Sequence, residues 1–374
     1  MRVAIVGAGL GGLAAAALLA RADADFDVQV FEQARDFRKL GAGIQVAPNM
    51  VRVLRRIGIA DAVIGAASVP RRSLSRRAET GELMLDFSFV HDGVLRYGEP
   101  LITIHRGELH AALLAAVPPS RVHFGRRVVD VDTDGSGARI RFEDHGTAQA
   151  DLVIGADGIR SRVRDVLLGP DPPRFMKSSY RAMVPASRLA RSVDDLTKWW
   201  GADRVFIAYF TSGTRDVLSL ACDAPDKEWP HATSFVPSTP EALRAAMEGF
   251  EPRVQRIIDA APMVTKWALY DRDSFPLWSR GPITLLGDAA HPMLPHAGLG
   301  GAMALEDAAV LSRCLVAERA DTGRALARYE ATRKRRTADV QQRSRQNDWL
   351  MDTPDGHDWV FDYDAGAEPL RDPG

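Results

Sequence analysis

Residues Met1–Glu32 read MRVAIVGAGLGGLAAAALLARADADFDVQVFE, and this stretch predicts how the chain begins to fold. Arg2 to Val6 is a short apolar run typical of a buried strand, and glycines follow it at once. The Ala- and Leu-rich segment from Gly12 to Arg21 predicts a helix, and Val28 to Phe31 predicts a second strand. Strand, helix and strand in this order predict a parallel sheet.

The glycines between the first strand and the helix have the spacing G-x-G-x-x-G. The first glycine permits a tight turn, the second lets the backbone approach a pyrophosphate, and the third lets the helix pack close to the sheet. Glu32 follows at the distance where a carboxylate reaches ribose hydroxyls, which disfavours a 2′-phosphate. The stretch therefore predicts a site for the ADP half of NAD or FAD, and both remain open at this point. The residues predicted to form it are Gly7, Gly9, Leu10, Gly12, Glu32 and Gln33.

Composition limits the remaining functions. A chain of 374 residues with 46% hydrophobic and 26% charged residues is long enough for two globular domains. The net charge of −1 does not favour nucleic acid or an anionic membrane, and no apolar run is long enough to span a bilayer. Cys222 and Cys314 lie far apart in apolar surroundings, so we expect buried thiols and no metal site. A cytoplasmic protein is predicted.

Later segments predict further elements. Alternating apolar residues from Val122 to Ala150 predict an antiparallel meander, and a strand at Asp151 to Ile154 follows it. Helices are predicted at His105 to Val117, Glu241 to Phe250, Leu299 to Leu315 and Asp321 to Leu350.

Two more segments resemble motifs of the single-component flavoprotein aromatic hydroxylases. Asp151 to Arg164, DLVIGADGIRSRVR, resembles the Asp-Gly motif of that family. Gly287 to Pro295, GDAAHPMLP, resembles its Gly-Asp motif, which continues into Glu306-Asp307-Ala308. With the opening glycines, the three motifs stand in the family's order along the whole chain.

The resemblance implies a mixed α/β fold, with a Rossmann-like FAD-binding domain and a β-sheet substrate domain as in 4-hydroxybenzoate hydroxylase. We expect the FAD-binding domain at 1–177 and 270–350, the substrate domain at 178–269 and a tail at 351–374. The family binds FAD tightly and hydroxylates with O2 through a flavin C4a-hydroperoxide. NADH or NADPH is expected only as a transient co-substrate, because the sequence has one G-x-G-x-x-G. A monomer and a homodimer both remain open.

The resemblance also assigns cofactor-binding residues. Asp288 is expected to accept a hydrogen bond from the flavin ribityl chain, and the helix starting near Leu299 is expected to direct N–H groups at the flavin pyrimidine. Arg106 is expected near the pyrophosphate, and Asp157 between FAD and the nicotinamide nucleotide. The other residues predicted to contact FAD here are Gly43, Ile44, Gly298 and Gly300.

Three residues are candidates for substrate chemistry. His296 is the candidate base, or a proton relay, that ionises a ring hydroxyl, because imidazole titrates near neutral pH. Tyr209 is expected to bind the substrate's hydroxyl or carboxylate and to take part in catalysis. Gln45 can offer an amide to the substrate but cannot act as a base.

Within the family, the chain looks most like members that hydroxylate a pyridine ring with loss of a carboxylate. Those members have histidine where Gln45 and Val205 stand, and glutamine where Leu299 stands. The predicted substrate is therefore a small hydroxylated aromatic or pyridine carboxylic acid. A hydroxybenzoate- or salicylate-type hydroxylase and a non-catalytic flavin-binding protein are the alternatives.

Overall fold

The computed structural model describes residues 1–22, 25–36, 42–87, 94–133, 137–189, 193–347 and 354–373. Nineteen strands lie within these ranges: β1 Arg2–Val6, β2 Asp27–Phe31, β3 Gly43–Val46, β4 Ser73–Arg77, β5 Leu83–Phe87, β6 Ile102–His105, β7 Val122–His123, β8 Val128–Thr133, β9 Ala138–Phe142, β10 Thr147–Ala150, β11 Leu152–Gly155, β12 Arg174–Pro185, β13 Leu196–Trp200, β14 Val205–Phe210, β15 Val217–Ala224, β16 Phe235–Ser238, β17 Val264–Asp271, β18 Ser279–Arg280 and β19 Ile283–Leu285.

The helices of the described residues are α1 Leu10–Arg21, α2 Pro48–Ile57, α3 Ala60–Ala66, α4 Arg106–Ala115, α5 Arg162–Leu168, α6 Pro240–Ala246, α7 Pro252–Asp259, α8 Gly300–Ala317, α9 Thr322–Gln346 and α10 Asp358–Phe361. Short 3-10 turns precede α8 at Gly287–Ala289 and Pro295–Ala297.

The first sheet has six strands in the order β18-β19-β11-β1-β2-β7. Strand β1 pairs in parallel with both β2 and β11, which confirms the predicted parallel sheet. Strand β7 at Val122–His123 also pairs in parallel with β2, so its place in the predicted meander was wrong. Strands β8, β9 and β10 do form the antiparallel meander. A two-residue strand shows the same alternation in either sheet, so its pattern could not assign its partner.

The β1–α1 turn brings three backbone segments together. Gly7 has a φ of +100°, and a Cβ there would lie 2.5 Å from the carbonyl oxygen of Ala156. A Cβ on Gly12 would lie 2.1 Å from the carbonyl oxygen of Gly7. Only residues without a side chain allow α1, β1 and the segment after β11 to approach this closely.

The second sheet has eight strands in the order β16-β17-β12-β15-β14-β13-β4-β5. It includes the hairpin at 73–87, where β4 pairs in parallel with β13, although the prediction had left this segment in the FAD-binding domain. Backbone pairing between distant segments leaves no local mark in the sequence. The division into domains therefore stays a prediction, with this sheet wider than expected.

The two faces of the second sheet have different roles. Residues such as Ala182, Phe206 and Leu220 face a separate hydrophobic core that includes α6 and α7. Since side chains alternate along a strand, their neighbours in sequence face the opposite side, towards the first sheet. That face becomes one wall of the cavity described below.

Two predicted helices have different ends in the structure from those that the sequence predicted. The helix predicted at Glu241 to Phe250 is α6, which ends earlier, at Ala246, and a further helix, α7, starts at Pro252 beyond the predicted segment. Gly249, with a φ of +86°, and Pro252 separate them. The last long helix, α9, starts at Thr322 and ends at Gln346, and its predicted end at Leu350 lies outside the described residues.

A buried ion cluster joins α8 to α9. The guanidinium of Arg333 donates to Glu306 at 2.6 Å and to Asp307 at 2.7 Å, and all three side chains are fully buried. Asp307 also accepts the backbone N–H of Gly287 at 3.1 Å. Because the charges are paired and hydrogen-bonded, the cluster fixes the loop beside Asp288 relative to both helices.

Both cysteines are buried free thiols, as expected. None of the helices in the described ranges is long and apolar enough to cross a membrane. The predicted cytoplasmic location stays a prediction.

Candidate active site

The carboxylate of Glu32 supports the glycine turn. It accepts the backbone N–H of Ala8 at 2.9 Å and that of Ala34 at 2.8 Å. Glu32 is half-buried at the end of β2, beside the turn that starts α1. This is the position from which a carboxylate meets the ribose of a bound dinucleotide.

Two helix N-termini open into one cavity of about 500 Å³. The N-terminus of α1 contributes Gly9 and Leu10, and that of α8 contributes Gly300 and Gly301. No described side chain caps either helix, so their first N–H groups remain available to a ligand. Free N–H groups and the helix dipole both favour negative charge.

Two charged side chains lie between these helix ends. Arg106, the first residue of α4, and Asp288, in the turn after β19, both line the cavity and are exposed to it. Burial lowers the pKa of Arg106, and the charge of Asp288 partly opposes that effect. Burial raises the pKa of Asp288, while His291 and Arg106 oppose the rise. Both residues therefore line the cavity, and their contacts with FAD stay predictions.

Asp157 and His291 both hydrogen-bond to other groups of the protein. The Asp157 carboxylate accepts the backbone N–H groups of Arg162 at 2.7 Å and Val163 at 3.2 Å, and thereby caps α5. Its predicted contact with FAD stays a prediction. The imidazole of His291 hydrogen-bonds to the buried Asp307.

The far end of the cavity is the inner face of the second sheet. Tyr209 on β14 lies opposite Ser219 on β15, and both line the cavity. Gly43 of β3 packs directly against these two residues. A Cβ at this position would lie only 2.6 Å from the Tyr209 ring. Its N–H donates to Ser219 Oγ at 3.0 Å. This contact connects the strand beside the flavin site to the substrate sheet.

His296 is held between two hydrogen-bond acceptors. Its Nδ1 lies 2.8 Å from the carbonyl oxygen of Ser344, and its Nε2 lies 2.7 Å from Asp223 Oδ2. A carbonyl can only accept, so Nδ1 carries a proton. Burial raises the pKa of Asp223, but the hydrogen bond and charge of His296, with Lys177 and Lys198, outweigh this and lower it. The hydrogen bond between Nε2 and the Asp223 carboxylate requires a proton between these two groups.

The two residues consequently act as a pair. Both ring nitrogens of His296 are occupied by hydrogen bonds, so His296 offers no free lone pair to a ligand in the cavity. A proton from such a ligand would reach His296 through the Asp223 carboxylate. We call these two residues the Asp223–His296 pair.

The structure brings most of the predicted site residues together. Those that line the cavity are Gly9, Leu10, Gly43, Ile44, Gln45, Arg106, Tyr209, Asp288, His296, Gly298 and Gly300. Those that do not line it are Gly7, Gly12, Glu32, Gln33, Asp157 and Leu299. Gly7 and Gly12 shape the turn, Gln33 is exposed, and the side chain of Leu299 is buried at the start of α8.

Three charged cavity residues were missed: Arg181, Lys198 and Asp223. Each lies on a strand of the second sheet, facing the cavity. Alternation along these strands was a usable signal, because charged residues break an otherwise apolar pattern there.

The residues at the end of the cavity that contains Gly9, Arg106 and Asp288 fit FAD. No described atom lies within 4 Å of a Cβ built on Gly9, so the backbone is open to a pyrophosphate there. If FAD binds here, Glu32 would hold the ribose of the ADP half, and Asp288 and the α8 N-terminus would hold the flavin half. When bound, FAD supplies the redox chemistry, and these residues hold and orient it.

We expect Glu32→Ala to raise the dissociation constant of FAD about 10- to 100-fold, because a charged hydrogen-bond acceptor at the ribose is lost. FAD retained after gel filtration and fluorescence titration of the apoprotein measure this. Glu79→Ala, at an exposed position, is the matched control. A Glu32→Ala protein with wild-type FAD affinity would contradict the assignment.

Comparison with known proteins identifies relatives along the whole chain. The FAD binding domain family matches residues 1–344. The 6-hydroxynicotinate 3-monooxygenase of Bordetella bronchiseptica is 43% identical over 373 residues, covering 99% of this chain and 97% of that protein. The 3-amino-4-hydroxybenzoate 2-monooxygenase PtmB3 of Streptomyces platensis is 37% identical and covers 95% of this chain and 89% of its own length.

A solved structure shows the same architecture. Klebsiella pneumoniae HpxO, complexed with FAD and uric acid, superposes with a TM-score of 0.81 at 28% identity, covering 96% of this chain and 90% of that chain. The glycine turn, the Asp288 loop and the α8 N-terminus are thus arranged in a fold that binds FAD. Together with the full-length relatives, they show that the chain belongs to the family of FAD-dependent aromatic hydroxylases.

Proposed function

We propose that this enzyme hydroxylates a small hydroxylated aromatic or pyridine carboxylic acid, with O2 and with NADH or NADPH as a transient reductant. The observation that carries the proposal is the continuity of one cavity, from the glycine turn at Gly9 to the Asp223–His296 pair. A ring bound at the far end would meet the cofactor on one side and a proton acceptor on the other.

The protein's contribution is to bind the ring and manage its protons. Ring hydroxylation is faster when a neighbouring ring hydroxyl loses its proton, because the ring carbon then becomes more electron-rich. A positioned base contributes roughly 10²- to 10⁴-fold to such a step. The Asp223–His296 pair accepts this proton as one hydrogen-bonded unit.

Tyr209 acts as a hydrogen-bond donor. Burial raises its pKa to about 12, with Arg181 and Ser219 opposing the rise. Tyr209 therefore stays protonated near neutral pH and can donate to an ionised hydroxyl or a carboxylate of the substrate. It holds the ring without exchanging its own proton.

The first candidate substrate is 6-hydroxynicotinate, because a relative 43% identical over nearly the whole chain is named for it. The reaction would then replace the ring carboxylate by a hydroxyl. The second candidate is a hydroxybenzoate, since another relative acts on an amino-hydroxybenzoate by name. Val205 contributes an apolar side chain to the cavity, and such a side chain cannot hydrogen-bond to a ring nitrogen. Val205 therefore does not distinguish a pyridine ring from a benzene ring.

We expect one class of small acid to stimulate NADH or NADPH oxidation several-fold in the FAD-loaded enzyme and to yield a product hydroxylated on its ring. A screen of hydroxypyridine and hydroxybenzoate acids, with mass spectrometry of the products, measures this. The product mass also tells hydroxylation with loss of carboxylate from simple hydroxylation. Oxidation that no acid accelerates, in a fully loaded enzyme, would contradict the proposal.

We expect His296→Ala and Asp223→Asn each to slow hydroxylation about 100-fold or more while FAD stays bound, since each variant removes the proton-accepting pair. The double variant should be no slower than the worse single variant, because the two residues act as one unit. Single-turnover kinetics with oxygen measure the step. His231→Ala, at an exposed histidine, is the control. Multiplying defects in the double variant would show independent roles.

A further inference from the structure

Arg181 directs a guanidinium into the cavity without a counter-ion. Among the residues that the structure describes, no side chain forms an ion pair or hydrogen bond with this group. The charge of Asp223 acts on Arg181, but the Asp223 carboxylate is already bound to His296. Burial lowers the pKa of Arg181, with Tyr209 and Asp223 opposing the effect. A half-buried cation that lines a cavity without a partner is stabilised when a ligand supplies the negative charge.

The sheet register places Arg181 at one end of a row across the cavity wall. Arg181 on β12 lies opposite Ala221 on β15, Ala221 lies opposite Ile207 on β14, and Ile207 lies opposite Lys198 on β13. Neighbouring strands are about 4.8 Å apart, so the two cations are about 14 Å apart at their backbones. The small Ala221 and the apolar Ile207 leave a flat floor between them that suits an aromatic ring.

Polar groups lie on both sides of this row. Asp223 lies two residues from Ala221 along β15, on one side of the row. Tyr209 lies two residues from Ile207 along β14, on the other side. Both line the cavity with the row itself. A ring over Ala221 therefore has the Arg181 cation at one edge. The Asp223 carboxylate, as proton acceptor, and the Tyr209 hydroxyl, as hydrogen-bond donor, lie at two other edges.

The other two cations of the cavity have different surroundings from Arg181. Lys198 donates to Asn347 Oδ1 at 3.0 Å, and its Nζ lies 3.7 Å from the Trp200 ring centre. Arg106 faces Asp288 at the flavin end. Arg181 is instead braced by the Trp267 ring, whose centre lies 4.8 Å from its Cζ. A planar guanidinium held in this way can bind a carboxylate through two parallel hydrogen bonds.

From this arrangement we infer that Arg181 is the specificity residue that binds the carboxylate of the aromatic acid, with the ring over Ala221 and Ile207 and a ring hydroxyl facing the Asp223–His296 pair. The inference rests on the proposed function and adds the group that makes an acid the preferred ligand. A guanidinium left without its carboxylate penalises neutral ligands, so the same residue selects against simple phenols and hydroxypyridines.

Two pairs of probes test the inference by binding rather than turnover. Each pair is an acid and the same ring without its carboxylate: 6-hydroxynicotinate with 2-hydroxypyridine, and 4-hydroxybenzoate with phenol. Equilibrium titration of the FAD-loaded protein, followed by the flavin absorbance and by calorimetry, gives the dissociation constants. Unfolding temperature and FAD content are recorded for every variant.

We expect Arg181→Met to weaken binding of the preferred acid about 10- to 100-fold, as for lost hydrogen bonds to a charged group, and to change binding of its carboxylate-free partner by less than threefold. Arg181→Lys should recover part of the loss for the acid. Arg174→Met, on the same strand with an exposed arginine paired to Asp273, should bind both ligands like the wild type.

Equal weakening of both ligands by Arg181→Met would show a structural role and overturn the inference. Unchanged binding of the acid would overturn it as well, while leaving the proposed function intact. Wild-type protein that binds none of the four probes would instead contradict the proposed substrate class, and the inference would fall with it.

Discussion

The site depends on a contact between backbones that no side chain can enter. At the first turn, Gly12 lies against the carbonyl of Gly7, and Gly7 lies against that of Ala156. This contact draws α1 onto the sheet and directs its first N–H groups into the cavity. The Glu32 carboxylate then fixes the turn through Ala8. The predicted binding site for the cofactor's phosphates therefore depends on the absence of side chains at Gly7 and Gly12.

Burial of charge positions the second half of the site. Asp307 is shared among Arg333, His291 and the Gly287 backbone, and this sharing holds the loop that presents Asp288. The same helix, α8, opens its N-terminus onto the flavin end. Each group in this cluster has a partner of opposite charge, whereas Arg181 in the cavity has none among the described residues. The charged groups around Asp307 therefore stabilise the fold, whereas Arg181 is the group that we propose binds a ligand.

The sequence predicted the parts of the molecule with local signatures. Periodicity and glycine spacing identified β1, α1 and β2, and family motifs brought Asp288, Arg106 and His296 to one cavity. The sequence did not predict that β4 joins β13, because pairing between distant strands leaves no local pattern. Nor did it predict Asp223 as the partner of His296, since 73 residues separate them along the chain. His296 alone suggested a base, and only its two acceptors show that the pair acts together.

The central claim is that the cavity binds FAD, and the most direct measurement is the flavin content of the purified protein. We expect a yellow protein with close to one FAD per chain. Its flavin spectrum should shift when an aromatic acid is added. A colourless protein that could not be reconstituted with added FAD would contradict it.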